Sequence, residues 1–471
     1  MNSNSKIEKI MANSLNSISP IDGRYKKYTE VLSMYFSEMA LMKYRIIVES
    51  EYLIALSDIK LLKKFSDKEK SLIRSLYNLS EKDAQIISDI EIKGYKNFKA
   101  TDHDVKAIEY YIKYKLSKTS LVDISEWIHF ALTSYDTNTL ARGMMLSDVL
   151  TKIIVPEIEH IIKKIDNFAK KYSGLPMLAR THGQPASPTT FGKEFKVFSE
   201  RLKKQLIKLK SQKISVKFSG ASGNFNAHIV AFPKIDWIFF AKNFIKKLNT
   251  NRNIELELNL TATQIDPHDS EVEIFDNLRR INTILIDFNQ DIWRYISDGW
   301  ITQKFIKDAV GSSTMPHKIN PIKFENSEGN LGLANALFEF FARKLPISRL
   351  QRDLSDSTVE RNFGSAFGHC LVAYKNLLKG LAGITVDENI VKQDLDNHPE
   401  VITEAIQTIL RREKVAMPYE KLKELTRGKR VTLVEIHKFI NDLSVSDKIK
   451  KELLKITPEN YTGLASKLAS R

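Results

Sequence analysis

A chain of 471 residues, 42% apolar and 27% charged, has length for about three domains, or fewer if one is a long helical bundle, and apolar residues for a sizeable core. Its single cysteine, Cys370, excludes an internal disulfide and a multi-cysteine zinc site, and no apolar run approaches the roughly 18 residues of a membrane-spanning helix. The net charge of +15 raises nucleic-acid binding as a rival. The lysines are scattered, with KK pairs at Lys63, Lys163, Lys203 and Lys246, and no RNA-module motif accompanies them. They read as solvated surface charge with no nucleic-acid partner.

In chain order, the N-terminus (MNSNSKIEKIMANSLNSISP) lacks the apolar core of a signal peptide, so a cytoplasmic protein is expected. A helical region runs to about residue 125. Within it TDHDVKAIEYYIKY opens a helix, with Thr101 as the expected N-cap, Asp104 three residues on and His103 in the first turn. The positive end of that helix favours a bound anion; the plainer reading is a well-capped helix with an exposed histidine. In WIHFALTSYDTN, His129 is either a buried structural residue or a site residue, and Thr133 and Ser134 are placed to hydrogen-bond a carboxylate.

Polar breaks rich in Gly, Pro, Ser, Asn or Asp follow at 173–188, 219–226, 261–269 and 311–321, each expected as a loop. Between them lie long amphipathic patterns. Phe191, Phe195, Phe198, Leu202, Leu206 and Leu209 recur in steps of three and four, and so do Ile281, Ile284, Leu285, Phe288, Ile292, Tyr295 and Ile296. A third helix is predicted from about Pro321 to Leu345, with Asn320 as N-cap and Pro321 at the first helical position. A charged C-terminal region follows about residue 380. The expected division is 1–125, 126–378 and 379–471, an all-α chain with a central long-helix bundle.

Four of the ten histidines sit at polar breaks: His103, His182 (ARTHGQP), His268 (DPHD) and His317. No HxxxH pair occurs, so no metal is expected. In GSSTMPHKINP, residues 311–321, two serines, an imidazole, an ammonium and an amide crowd one connector, with Pro316 and Pro321 bracketing His317, Lys318 and Asn320. That density points to an active-site lid, and Gly311 offers a hinge.

This string resembles the GSSxMPxKxN signature of the fumarase/aspartase superfamily, whose members eliminate fumarate from succinyl compounds, mostly as homotetramers built on a helical bundle. His317 after Met-Pro narrows the resemblance to the adenylosuccinate lyase group of bacterial type, since fumarases usually carry Gly there and argininosuccinate lyases Gln. SPIDGRY (19–25), TQIDPHD (263–269), FENSEGN (324–330), QRDLSDSTVERN (351–362) and YEKLKELTRGKRV (419–431) look like the same group, across nearly the whole chain. One departure is Asp102, where close relatives often have Asn.

The resemblance implies a three-domain fumarase/aspartase-like fold and cleavage of adenylosuccinate and SAICAR, with no cofactor and no membrane partner. It implies Ser312 as base (Ser313 is the alternative) and His182 as acid, with Lys318, Asn320, Glu325 and His103 completing the catalytic set. Arg24, Tyr25, Asp102, His103, Asp104, Thr133, Ser134, Gln264, Arg352, Ser357, Thr358 and Arg361 are the implied substrate contacts. It also implies a homotetramer whose sites take residues from three subunits. The remaining rivals are another lyase of the superfamily and a non-catalytic nucleotide-binding relative.

Overall fold

The computed structural model describes residues 14–304, 315, 317–428 and 431–471. Gly311, Ser312 and Ser313 of the signature connector lie outside the described residues. The architecture is helical, and the described strands are six short ones in three two-stranded sheets. Two compact units are distinguished. The first takes in the described residues of Met1–Ile158, Gln205–Thr283 and Gly329–Lys375; the second those of Glu159–Lys204, Ile284–Glu328 and Asn376–Arg471.

The first unit is centred on two packed helices, Glu38–Asp58 and Ser134–Val149. Every residue from Tyr135 to Val149 is buried, so this helix has no solvent face. Its polar side chains therefore need partners inside the protein. Arg45 Nε donates to Asn138 Oδ1 at 2.8 Å, the Thr137 hydroxyl to Glu49 at 2.7 Å, and the Tyr44 hydroxyl to Asp148 at 2.6 Å. Gly143 lets the parallel pair β3 (Ile214–Val216) and β4 (Leu256–Leu258) lie against this helix: a Cβ there would meet Val216 and Leu256 at 2.9 Å. The helix continues through a π-turn at Leu150–Ile154, where the Val155 N–H reaches back to the Leu150 carbonyl. Pro156 accounts for the turn, because its ring collides with the carbonyl four residues back in regular α-geometry.

In the second unit the predicted stripe is the core. Phe191, Phe195, Phe198 and Leu202 are buried on the Phe191–Ser211 helix. Phe195 stacks on Phe168 at 5.2 Å and meets Phe288 edge-on at 5.8 Å. Burying each such ring contributes about 1.5–3 kcal/mol. Residues 376–471 add a separate apolar cluster built on Ile402, Ile406, Ile436, Ile440 and Leu453.

Three sequence expectations need correction. The stretch 173–188, expected as a loop, forms the antiparallel hairpin β1 (Pro176–Thr181) and β2 (Gln184–Thr190). Pro185 and Pro188 are tolerated because a two-stranded ribbon leaves outer edges that need no N–H. The helix after TDHD starts at Asp104 with His103, not Thr101, as N-cap: the Lys106 N–H donates to His103 Nδ1 at 3.3 Å. Thr101 instead accepts the His103 N–H. The third long helix spans Ile322–Lys344, and Pro321 rather than Asn320 occupies the residue before it, its carbonyl accepting the Glu325 N–H.

Candidate functional site

In the first unit the candidate residues gather around the start of the Ser134–Val149 helix. Thr133 caps it in a T-x-x-D box, its N–H donating to Asp136 Oδ2 at 2.9 Å. The fully buried Asp136 carboxylate also accepts the N–H groups of Ser219 at 3.0 Å and Gly220 at 3.1 Å, and pairs with the equally buried Lys217 ammonium at 2.8 Å. One carboxylate thus ties the helix start to the 219–226 loop. Gly223 brings that loop onto the 261–269 break, since a Cβ at 223 would collide with the Ala262 carbonyl oxygen.

Ser134 Oγ lies 3.3 Å from His103 Nε2. Because His103 Nδ1 accepts a backbone N–H, the neutral ring carries its proton on Nε2 and donates to Ser134. Asp104 accepts from Arg45 Nη2 at 2.6 Å and from Arg361 Nη2 at 3.3 Å. Burial works to raise its carboxyl, but the two guanidiniums prevail and hold it below the usual range. Arg361 also donates to the Ser357 hydroxyl at 2.7 Å and pairs with Glu38 at 3.2 Å. Asp104 and Ser357 therefore act on Arg361, while Thr358 stays exposed. Arg361 also lines a cavity of 530 Å³ with Lys26, Thr29, Ser33 and Ser37. Arg24 is exposed and Tyr25 half-buried in the 19–25 turn beside it, where the Tyr25 N–H bonds the Pro20 carbonyl at 2.8 Å. Asp102 is exposed in left-handed backbone, φ +47°.

Arg352 lies over the Tyr135 ring, 5.0 Å from its centre, and donates to Gln264 Oε1 at 3.4 Å. The Thr263 hydroxyl donates to the Gln351 carbonyl at 2.9 Å, fastening the same two segments. Two guanidiniums, an imidazole, hydroxyls and a carboxamide thus converge on helix N-termini, an arrangement suited to an oxyanion-rich ligand.

The second unit carries the other candidates. His182 and Gly183 are the two central residues of the β1–β2 turn, both with positive φ (+53° and +73°), as a type I′ hairpin turn requires. His182 is therefore exposed at a tip whose direction the backbone sets. Leu178 anchors β1 in the C-terminal apolar cluster, and Arg180 grips Asp394 with two contacts of 2.8 and 3.0 Å. Lys318 is exposed and Asn320 half-buried at the C-terminal end of the connector. The connector is held there by Gln303 Nε2 donating to the Ile319 carbonyl at 3.0 Å. Glu325, in the first turn of the Ile322–Lys344 helix, accepts the Trp293 indole N–H at 3.2 Å.

Sequence reasoning passed over Asp136, Lys217, Tyr135 and Arg45. The T-x-x-D spacing of Thr133 and Asp136 was a usable signal; nothing local marked the other three. His129, which the sequence left open, is mostly buried and bonds Glu49 Oε1 at 2.7 Å, a structural pairing. Among the described residues no group of His, Cys, Asp and Glu converges as metal ligands, and no helix is long and apolar enough to cross a membrane.

Comparison with known proteins adds a family to this geometry. A lyase family model matches residues 23–335, and an adenylosuccinate lyase C-terminal model matches residues 348–462. The chain is 47% identical to an adenylosuccinate lyase of Dictyostelium discoideum, over 97% of this chain and 98% of that one. It is 44% identical to an adenylosuccinate lyase of Escherichia coli K12, over 96% and 97%. At the level of fold it is similar to a 3-carboxy-cis,cis-muconate lactonizing enzyme of Pseudomonas putida (TM-score 0.70, 18% identity, covering 95% of this chain and 97% of that one). It is equally similar in fold to a fumarate lyase of Mesorhizobium (TM-score 0.70, 16% identity, covering 94% and 97%).

Proposed function

The chain is a lyase that belongs to the adenylosuccinate lyase family of the fumarase/aspartase superfamily, and we propose that it releases fumarate from adenylosuccinate, leaving AMP, and from SAICAR, leaving AICAR. The observation that carries this reading is identity near one-half along almost the entire chain to enzymes of that name. The placement of Arg352 and Arg361 supports it, because planar guanidiniums suit phosphate.

The proposed reaction is a β-elimination. A base takes a proton from the succinyl carbon next to a carboxylate, the electron pair forms the C=C bond of fumarate, and the C–N bond breaks. The departing purine nitrogen, or the carboxamide nitrogen of AICAR, takes a proton from an acid. Ser312 is the proposed base, with Ser313 as its alternate, and His182 the acid. Lys318 and Asn320 stabilise the negative charge that builds on the carboxylate, which serves as the electron sink, so no cofactor takes part. Glu325 orients this machinery. His103, Asp104, Thr133, Ser134 and Gln264 bind the succinyl and phosphate groups, and Arg24, Tyr25, Asp102, Arg352, Ser357, Thr358 and Arg361 the nucleotide. The working form is a cytoplasmic homotetramer whose sites draw residues from several copies. If a stable monomer at high dilution keeps full activity, the shared-site part fails.

The deciding experiment is fumarate release from adenylosuccinate by the purified protein beside its Ser312→Ala variant. Activity in the wild type, lost in a folded variant, is expected. An inactive wild type that turns over another succinyl compound, such as argininosuccinate, moves the reading to a sister lyase. Activity retained in Ser312→Ala moves the base to Ser313.

A further inference from the structure

Beneath the Arg352 contact lies a chain of buried polar groups that the proposed reaction does not use. The Glu271 carboxylate meets His268 Nδ1 at 2.5 Å, and His268 Nε2 lies 3.0 Å from the Tyr135 hydroxyl. All three side chains are buried, with Tyr135 only 1% exposed. A carboxylate can only accept, so Nδ1 holds a proton, and Nε2 is the ring atom that faces the Tyr135 hydroxyl as the second hydrogen bond of the chain. His268 reaches both partners from left-handed backbone, φ +65°, a conformation that a non-glycine residue keeps only when its surroundings impose it. Apolar side chains of similar volume would fill this space with no buried ion to compensate. The polar chain therefore calls for a use beyond packing.

Its far end supplies one. The Arg352 guanidinium lies over the face of the Tyr135 ring, and Arg352 bonds Gln264 of the same 261–269 break that carries His268. The hydroxyl sits on the long axis of the ring, so anchoring it fixes where the ring lies. We propose that Glu271, His268 and Tyr135 form a positioning relay that holds the Arg352 guanidinium in place for the anionic part of the substrate. This rests on the reading of the chain as an adenylosuccinate lyase in which Arg352 contacts the nucleotide. The relay residues touch no substrate themselves; they act through Arg352.

The test is a double-mutant cycle on the full-length enzyme with adenylosuccinate: Tyr135→Phe, Arg352→Met and both together. Tyr135→Phe keeps the ring and removes only the hydroxyl. It is expected to raise KM about tenfold while kcat stays within about twofold, and to raise KM no further once Arg352 is Met. Unfolding midpoints check that each variant is folded. If Tyr135→Phe does not fold, Glu271→Gln, which keeps the shape of the contact, is run through the same cycle with the same expectation. Equal KM increases in both backgrounds, or an unchanged KM in Tyr135→Phe, overturn the relay and leave the lyase reading intact. An unchanged KM in Arg352→Met removes the contact being positioned, and the relay falls with it. A wild type that does not act on adenylosuccinate overturns the substrate reading first and the relay as its consequence.

Discussion

His182 and His268 share a backbone conformation and almost nothing else. Both are left-handed non-glycine residues, at φ +53° and +65°. His182 stands exposed on a hairpin tip and is aimed by its strands; His268 is buried and held at both ring nitrogens by Glu271 and Tyr135. The comparison teaches that strained backbone can do two jobs. In the hairpin it presents a side chain outward, and in the core it lets one side chain bridge two others. The hairpin should therefore be sensitive in kcat and forgiving in stability, and the buried Asp136–Lys217 pair at the start of the Ser134–Val149 helix the reverse.

The largest expected break in that contrast is His182→Asn. Asparagine tolerates the left-handed turn, so the fold should persist, while loss of an acid should lower kcat by roughly 10²–10⁴-fold. Rapid-quench turnover beside a thermal melt measures both; a melt that falls together with activity would put His182 in the stability class. Next comes Asp136→Asn, which strips the charge facing the buried Lys217. Leaving that ammonium unpaired should reduce unfolding free energy by about 3–5 kcal/mol, read by urea titration. The double change Asp136→Asn with Lys217→Met should recover much of it, and a double variant no better than the single would show that the backbone contacts of Asp136 dominate.

Gly183→Val sharpens the hairpin side. A β-branched residue resists φ +73°, so about 1–2 kcal/mol of strain is expected at the tip. Activity should fall further than stability, because the turn that aims His182 is what distorts. The smallest effect concerns His129. Burial pushes its imidazole down, but the Glu49 carboxylate outweighs this and leaves the pKa raised. A raised folded value means that the contribution is full below the unfolded value of 6.5 and is lost as pH rises through the folded value. His129→Gln should therefore lower the melting temperature at pH 6 more than at pH 9; an equal loss at both would mean that the pair carries no charge.

The helical bundle was legible because its signal is periodic. Phe191, Phe195, Phe198, Leu202, Leu206 and Leu209 all read as one stripe, and all are buried. The hairpin was not, because Gly183, Pro185 and Pro188 are loop signals until one knows that the ribbon has only two strands. The cap of the Asp104–Leu116 helix was misplaced by two residues because a histidine acts there through Nδ1, a role the usual serine and threonine preferences hide. The residues that wire the site lie beyond any local pattern. Tyr135 and His268 are 133 positions apart, and Arg45 meets Asp104 from 59 positions away. Periodicity reports a face; it carries no information about which polar groups on different segments end up as partners.

The interleaving of the two units has a consequence for biosynthesis. Neither is a continuous stretch, and the first needs residues as late as Lys375 while the second ends with the chain itself. At ribosomal speeds of roughly 5–20 residues per second, the last segment of the first unit, Gly329–Lys375, is complete only about 15–65 s after Asp58. Its two central helices, Glu38–Asp58 for all of that time and Ser134–Val149 for most of it, have apolar surface awaiting partners not yet translated. Connectivity alone thus prolongs the exposure of apolar surface during synthesis, whatever the final stability of the protein.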